Sequence, residues 1–278
     1  MTKQQPWYAP LLLVSALAAP AHAQEQMPAK ALPVSQSQEN LEDRLHNFKG
    51  FDDPRYRGYD APIIELTSKY NALFKDKPGY RPLNPLLAKS MIIQESGGTP
   101  EAFSHDPMQI ANKGDFALTE LQQPDIYRRL GIEDLSAKYR AFTHTPRTRG
   151  RWDYSGDRSM RARESIEGGI LFLLRKAFLY DERTLTSGDI YDHVITEGET
   201  FAAIAEQEAS TIGTLRRLNP GVNPKKLRID SSIHVQKAEI RPVITGTRSW
   251  RDAVILYNGG GTPGYTKKVF NRLRDVTP

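Results

Sequence analysis

The chain has 278 residues, 38% of them hydrophobic and 26% charged, with 38 basic against 33 acidic side chains for a net charge of +5. These proportions describe an ordinary soluble protein with material for one large domain or two smaller ones. The positive excess is too modest to demand an anionic polymer as partner, and a count of zero cysteines excludes disulfides, thiolate metal sites and a lipidated cysteine anchor.

Lys3, the apolar run 9–19 (APLLLVSALAA) and the small-x-small triplet Ala21-His22-Ala23 read as a secretory signal over 1–23, cleaved after Ala23. The run is too short to span a bilayer comfortably. The expectation is therefore a periplasmic or secreted protein with no membrane insertion after cleavage. Residues 24–58 mix Gln, Ser, Pro and charges and read as a linker or strap. Beyond them, Ile63, Ile64, Leu66, Tyr70, Leu73 and Phe74 recur at helical spacing.

Asn84-Pro85 predicts a helix start, an N-cap followed by proline at the first helical position. The helix should run from about Pro85 to Glu95, bury Leu86, Leu87, Met91 and Ile92, and stop at Gly97-Gly98. Its last turn, SMIIQESGG over 90–98, poses a chemical question, because a carboxylate closes an apolar helix. One answer is an exposed acid on a terminal turn. The other is a proton donor, since burial disfavours the charged carboxylate and keeps its proton toward neutral pH.

The stretch 128–163 carries Arg128, Arg129, Arg140, Arg147, Arg149, Arg151, Arg158, Arg161 and Arg163. It reads first as a solvated, charge-balanced surface and second as an electropositive approach for an anionic substrate. Aromatics for base stacking are sparse there, so no nucleic-acid partner is expected. Ser165–Leu179 is strongly apolar and helical, and its internal Gly168-Gly169 predicts a close approach of backbone or ligand. Residues 191–237 predict two short strands flanking two helices, and Trp250–Leu273 a helix, a Gly-rich turn and a second helix. The six histidines show no metal-ligand spacing, and His105 reads as a loop residue. No metal and no cofactor are expected.

Four stretches then stand in order: Gln94-Glu95-Ser96, Met108-Gln109-Ile110, Ser165-Ile166-Glu167-Gly168-Gly169 and Tyr257-Asn258-Gly259-Gly260. Together they resemble the soluble lytic transglycosylase family, whose catalytic domain has the goose-type lysozyme fold. Departures are Asp106-Pro107 before Met108, a short spacing between Glu95 and Gln109, Ser165 and Phe172 in place of Asn and Tyr, and Leu256 before Tyr257. The resemblance implies a peptidoglycan lytic transglycosylase that cuts the bond between MurNAc and GlcNAc and leaves 1,6-anhydroMurNAc ends. It makes Glu95 the general acid and then the base, with Tyr257 stabilising the acid. Ser96, Met108, Gln109 and Asn258 shape the cleft and meet glycan. Ser96, Gln109 and Asn258 have an alternative reading as scaffold groups satisfying loop backbone. A hydrolase on the same scaffold would need a second carboxylate, for which Asp106 and Asp115 are candidates. A non-catalytic wall-binding protein is the other alternative.

Within 191–237, Val-Ile-Thr-Glu-Gly-Glu-Thr-Phe, Leu-Arg-Arg-Leu-Asn-Pro-Gly and Ile-His-Val resemble a LysM domain, a small βααβ module that binds N-acetylated glycans. Thr200 is the expected N-cap of its first helix, with Ala203, Ile204 and Leu215 in its core. The resemblance places glycan contacts at Gly198, Thr200, Phe201, Asn219, Pro220 and Asn223. The resulting expectation is a mainly α, lysozyme-like catalytic domain over 59–190 and 238–278, interrupted by a LysM module over 191–237.

Overall fold

A short 3₁₀ turn, Pro54–Tyr59, leads into the first helix; Asp53 caps it by accepting from the Arg55 amide at 3.0 Å. The structure, a computed structural model, describes residues 45, 51–97, 100–112, 114, 116–145, 147–148, 151–152 and 160–274. The signal reading of 1–23, its cleavage point and Asp115 lie outside them. Of the strap expected over 24–58, the described part already belongs to the body. Leu45, Phe51 and Tyr56 are buried there, with Leu45 and Phe51 packed beside Ile64 and Leu86.

Helices α1 (Asp60–Phe74) and α2 (Pro85–Ser96) follow. Asn84 caps α2 by accepting from the Leu86 amide at 2.9 Å, Pro85 sits in its first turn, and Gly97 ends it in the left-handed conformation at φ 57°. Leu86, Leu87, Met91 and Ile92 are buried as expected, whereas Leu73 of α1 is 49% exposed. Three short helices come next, α3 (Phe116–Leu121), α4 (Pro124–Leu130) and α5 (Ser136–Arg140), then the two-residue strands β1 (Arg147–Thr148) and β2 (Arg151–Trp152).

Helix α6 (Ala162–Ala177) is the axis of the body. Every residue from Ser165 to Leu174 is buried, as for a helix surrounded by others. Helices α1, α3, α4 and, from the far end of the chain, α9 (Trp250–Asn258) pack around it, while α10 (Tyr265–Arg274) lies along α2. The glycine pair in α6 has a steric cause. A Cβ on Gly168 would stand 2.5 Å from the Ile110 side chain, and one on Gly169 2.5 Å from that of Met108. Only glycine lets the 106–112 loop press so closely on the helix.

Glu167, also on α6, is buried and receives Lys138 at 2.7 Å, Tyr70 at 2.8 Å and Lys69 at 2.9 Å. Burial alone would raise its carboxyl pKa; the bonds from Lys138, Lys69 and Tyr70 outweigh it and bring the value down to about 2. A carboxyl depressed in the folded state contributes stability above its unfolded pKa and loses it as pH falls. Stability worth roughly 3 kcal/mol should therefore disappear between about pH 4.5 and pH 2. Acid titration followed by circular dichroism should show this loss, and Glu167→Gln should flatten it; an unchanged acid limb in the variant would refute the assignment.

The mainly α, lysozyme-like expectation needs correction. About 50% of the structure is helical and 17% lies in a two-strand antiparallel sheet, a mixed α/β fold not identifiable as lysozyme-like. The short strands expected at the ends of 191–237 are the tips of a long ribbon formed by β3 (Phe178–Val194) and β4 (Ser232–Thr247). Phe178 pairs with Thr247 at its base and Val194 with Ser232 at its tip, with the register interrupted between Ser187 and Tyr191. In the middle, residues 181–190 are all exposed. No buried face imposes an apolar alternation on DERTLTSGDI, so periodicity had nothing to report; pairing with β4 makes the strand.

Between the ribbon's tips stand α7 (Phe201–Gln207) and α8 (Ile212–Leu218). They close a second core with Phe201, Ile204, Leu215, Ile233 and Val235, separate from the main one. Thr200 caps α7 as expected, accepting from the Ala203 amide at 3.1 Å. Ala203 itself is exposed, and Ala205 takes the core position assigned to it.

Candidate functional site

Three segments far apart in the chain converge on Glu95. Ser90 of α2 donates to the Val269 carbonyl at 2.8 Å, and Arg272 reaches Gln94 at 3.3 Å, so α10 is laid against α2. That docking carries Tyr265 to the catalytic candidate: its hydroxyl donates to Glu95 Oε1 at 2.6 Å. Tyr265 is 3% exposed. Burial first, and the nearby Glu95 charge second, raise its pKa well above the usual phenol range. The phenol thus stays protonated and serves as a fixed donor to a half-buried carboxylate.

The second segment is the loop 106–112. Asp106 is buried and accepts from the amides of Ile110 at 3.1 Å and Ala111 at 3.0 Å, and from the Ser165 hydroxyl at 2.5 Å. Ser165 in turn accepts from the Met108 amide at 3.0 Å. Burial pushes the Asp106 carboxyl pKa up despite these bonds. The pair wires the loop to α6, which explains Ser165 in chemical terms. It also removes Asp106 as a water-activating base, because its oxygens face loop amides.

Gln109 stands at the crest of this loop with φ 50°, a left-handed conformation uncommon for a side chain of this size. Its Nε2 donates to the Glu95 carbonyl, and its Oε1 accepts from Asn112 Nδ2 at 2.8 Å. The bond to Glu95 ties the acid's backbone to the loop. Met108 is buried, with its side chain against Gly169 and its carbonyl accepting from the Tyr257 hydroxyl at 3.1 Å. Tyr257, expected to steady the acid, lines the same cavity and is bonded to the loop, while Tyr265 donates to the carboxylate. Asn258 closes the following turn, accepting from the Thr262 amide at 3.3 Å and donating to the Thr262 carbonyl at 3.4 Å. Gly259 and Gly260 take positive φ in that turn.

These groups line a cavity of about 560 Å³, which includes Glu95, Met108, Gln109, Tyr257 and Asn258 together with Asn112 and Phe116. The volume lies in the range of small-ligand sites. Five of the six residues expected at the cleft therefore meet there. Ser96 does not: it is 2% exposed, bonds the Tyr56 hydroxyl and donates to the Ile93 carbonyl at 3.3 Å. Its role is to dock the 3₁₀ turn on α2. Glu95 is the only acidic side chain among the described residues lining the cavity.

Tyr265, Asn112 and Phe116 escaped the sequence reading. Tyr265 follows a glycine and opens a helix, but its partner lies 170 positions away, so local pattern carries no trace of it. Phe116 offered a weak signal, an aromatic two positions after a glycine; it is 73% exposed at the cavity.

In the small module, Gly198, Thr200, Pro220 and Asn223 are exposed, although the Thr200 and Asn223 side chains cap backbone amides. Phe201 is buried in the core, and Asn219 bridges α8 to β4 by donating to the Leu215 and His234 carbonyls and accepting from the His234 amide at 2.8 Å. Side-chain contact with a ligand is thus closed to Phe201 and Asn219. Of the described arginines, Arg128 and Arg129 pair with Asp125 and Arg163 with Glu65, as in the charge-balanced reading, while Arg140 donates to the Gln122 carbonyl and the Ser136 hydroxyl.

Compared with models of protein families, with curated proteins and with solved structures, the chain matches none.

Proposed function

We propose that the cavity is the active site of a peptidoglycan lytic transglycosylase, with Glu95 as its sole proton-transfer group. The observation that carries this reading is the carboxylate itself, half-buried in a ligand-sized cavity and held by a buried phenol, with no second acid among the described lining residues. Hydrolysis by paired carboxylates needs two such groups flanking the bond. A reaction closed by the substrate's own hydroxyl needs one.

In this mechanism the protonated Glu95 gives its proton to the glycosidic oxygen as the bond to the MurNAc C1 breaks. The substrate's acetamido carbonyl stabilises the positive charge left at C1. The carboxylate then takes the proton of the C6 hydroxyl as that oxygen bonds to C1. The products are a 1,6-anhydroMurNAc end and a free GlcNAc hydroxyl, and no water is consumed. Tyr265 suits both halves, because a hydroxyl donates to the carboxylate and accepts from the protonated acid. Mass spectrometry of digested sacculi tests the reading: anhydro-ended muropeptides are expected, and reducing ends alone would replace it with hydrolysis.

The module on the ribbon is proposed to bind the same polymer through its exposed loops at Gly198–Thr200 and Pro220–Asn223. Ser187 pairs with Lys237 below the interruption in register, so a chain rejoined there through a short turn keeps the base of the ribbon. This deletion should weaken binding to sacculi and leave cleavage of short soluble glycans intact. Loss of both would mean that the module is part of the catalytic body's stability.

A further inference from the structure

The tip of the ribbon carries a histidine clamped between two acids. His193, on β3, presents Nδ1 to Glu208 Oε1 at 2.8 Å and Nε2 to both oxygens of Glu199, at 3.1 and 3.2 Å. All three side chains are largely enclosed, the imidazole at 9% exposure, Glu199 at 13% and Glu208 at 18%. Glu199 belongs to the loop before α7 and Glu208 follows the last residue of that helix, so the ring ties both ends of α7 to β3. Tyr191 of β3 donates to Glu208 Oε2 at 2.5 Å. From β4 the apolar Ile233 stands opposite His193, and the adjacent His234 is bonded to Asp192.

An imidazole donates from both nitrogens only when it is protonated. The neutral ring has one N–H, and its second nitrogen would turn a lone pair toward a carboxylate. Satisfying both acids therefore takes a proton. Burial pulls the His193 pKa down, and the bonds to Glu199 and Glu208 outweigh it, leaving the value above the ordinary 6.5. A histidine raised in this way stabilises its contacts fully below about pH 6.5 and loses that contribution as pH rises through the folded value.

The two ends of the clamp are not equally held. Beyond Glu208, Ser210 donates to the Gln236 carbonyl at 2.6 Å and the Ala209 carbonyl accepts from the Ala238 amide at 3.0 Å, which fixes this end to β4 without the histidine. The Glu199 side chain otherwise accepts from the Thr196 amide at 2.7 Å, a bond inside its own loop. Loss of the proton therefore frees the loop 196–200, which presents Gly198 and Thr200 at the surface.

We propose that His193 is a proton-operated latch on the glycan-binding loop of the module, closed when the ring is charged and open when it is neutral. The inference rests on reading the module as a glycan binder and adds a direction to it: tighter binding in mildly acid solution than in alkaline.

The full-length Glu95→Gln protein, expected to bind without cutting, is titrated with tetra-N-acetylchitotetraose, an uncharged ligand, between about pH 5.5 and pH 8.5, the span over which histidines change charge. Binding is read from NMR shifts of Gly198, Thr200 and Asn223, which separates the module from the cleft. Affinity should fall roughly three- to tenfold as pH rises, with the same midpoint as the His193 ring resonances. Adding Glu199→Gln should keep the tight state at high pH, because an amide accepts from Thr196 and donates to the neutral ring. Adding His234→Gln, which alters the module's other histidine, should leave the pH dependence in place. A histidine that only filled the core would predict loosening in the Glu199→Gln protein, not rescue. Affinity that is flat with pH in the parent protein, or a Glu199→Gln protein that fails to hold the tight state, overturns the latch and leaves the glycan reading standing. Absence of module shifts at every pH overturns both.

Discussion

Replacing Glu95 by glutamine should lower the yield of anhydro-ended muropeptides about a thousandfold, in line with the weight of general acid–base catalysis. The amide is nearly isosteric and its Oε1 still accepts from Tyr265, whose hydroxyl now lies 2.6 Å from the carboxylate. The bond between Gln109 and the backbone carbonyl of Glu95 is untouched. Folding should therefore be preserved, with an unchanged melting temperature, and the whole loss should fall on the chemical step. Sacculus binding should persist. A variant that digests glycan with the wild-type product profile would sink the proposed mechanism, because no other acid among the described lining residues stands ready to replace it.

Replacing Lys89 by alanine should cost roughly 3–5 kcal/mol of stability, the usual consequence of stranding one member of a buried ion pair. Lys89 is fully buried on α2, with Nζ 2.6 Å from Asp60 Oδ1 and donating to the Leu45 carbonyl at 2.6 Å. Burial, the dominant influence, lowers its pKa, and the Asp60 carboxylate opposes it. Without the ammonium, Asp60, itself only 3% exposed, is left charged beneath α2. The melting temperature should drop by roughly 10 °C. Removing both charges together, as Lys89→Met with Asp60→Leu, should restore much of it, since well-packed apolar replacements often match a buried pair. A double variant no better than the single one would show that packing, and not the stranded charge, sets the cost.

How legible these features were depended on whether their cause was local. Asn84-Pro85 and Gly97 mark both ends of α2 because capping and a left-handed stop act within a turn. Gly168-Gly169 betrayed a close approach, and the loop that approaches, with Met108 and Ile110 against them, was already under suspicion. Lys89 gave no such sign. In sequence it resembles any lysine on a helix, and its burial is imposed by Asp60 and the strap at Leu45. The middle of β3 was equally silent: a strand exposed on both faces over 181–190 is stabilised by backbone bonds to β4, which leave no side-chain period.

The division at the site follows the same physics. Residue order alone determined that a carboxylate would close an apolar helix, while it was a family resemblance that set Met108-Gln109 and Tyr257-Asn258 beside it. Tertiary structure decided that Tyr265 touches the acid, by laying α10 along α2. It decided as well that Ser96 serves the 3₁₀ turn and that Asp106 serves its own loop. Hydrogen-bond partners are chosen by proximity in space, and a chain's chemistry can announce a donor or acceptor without naming its mate.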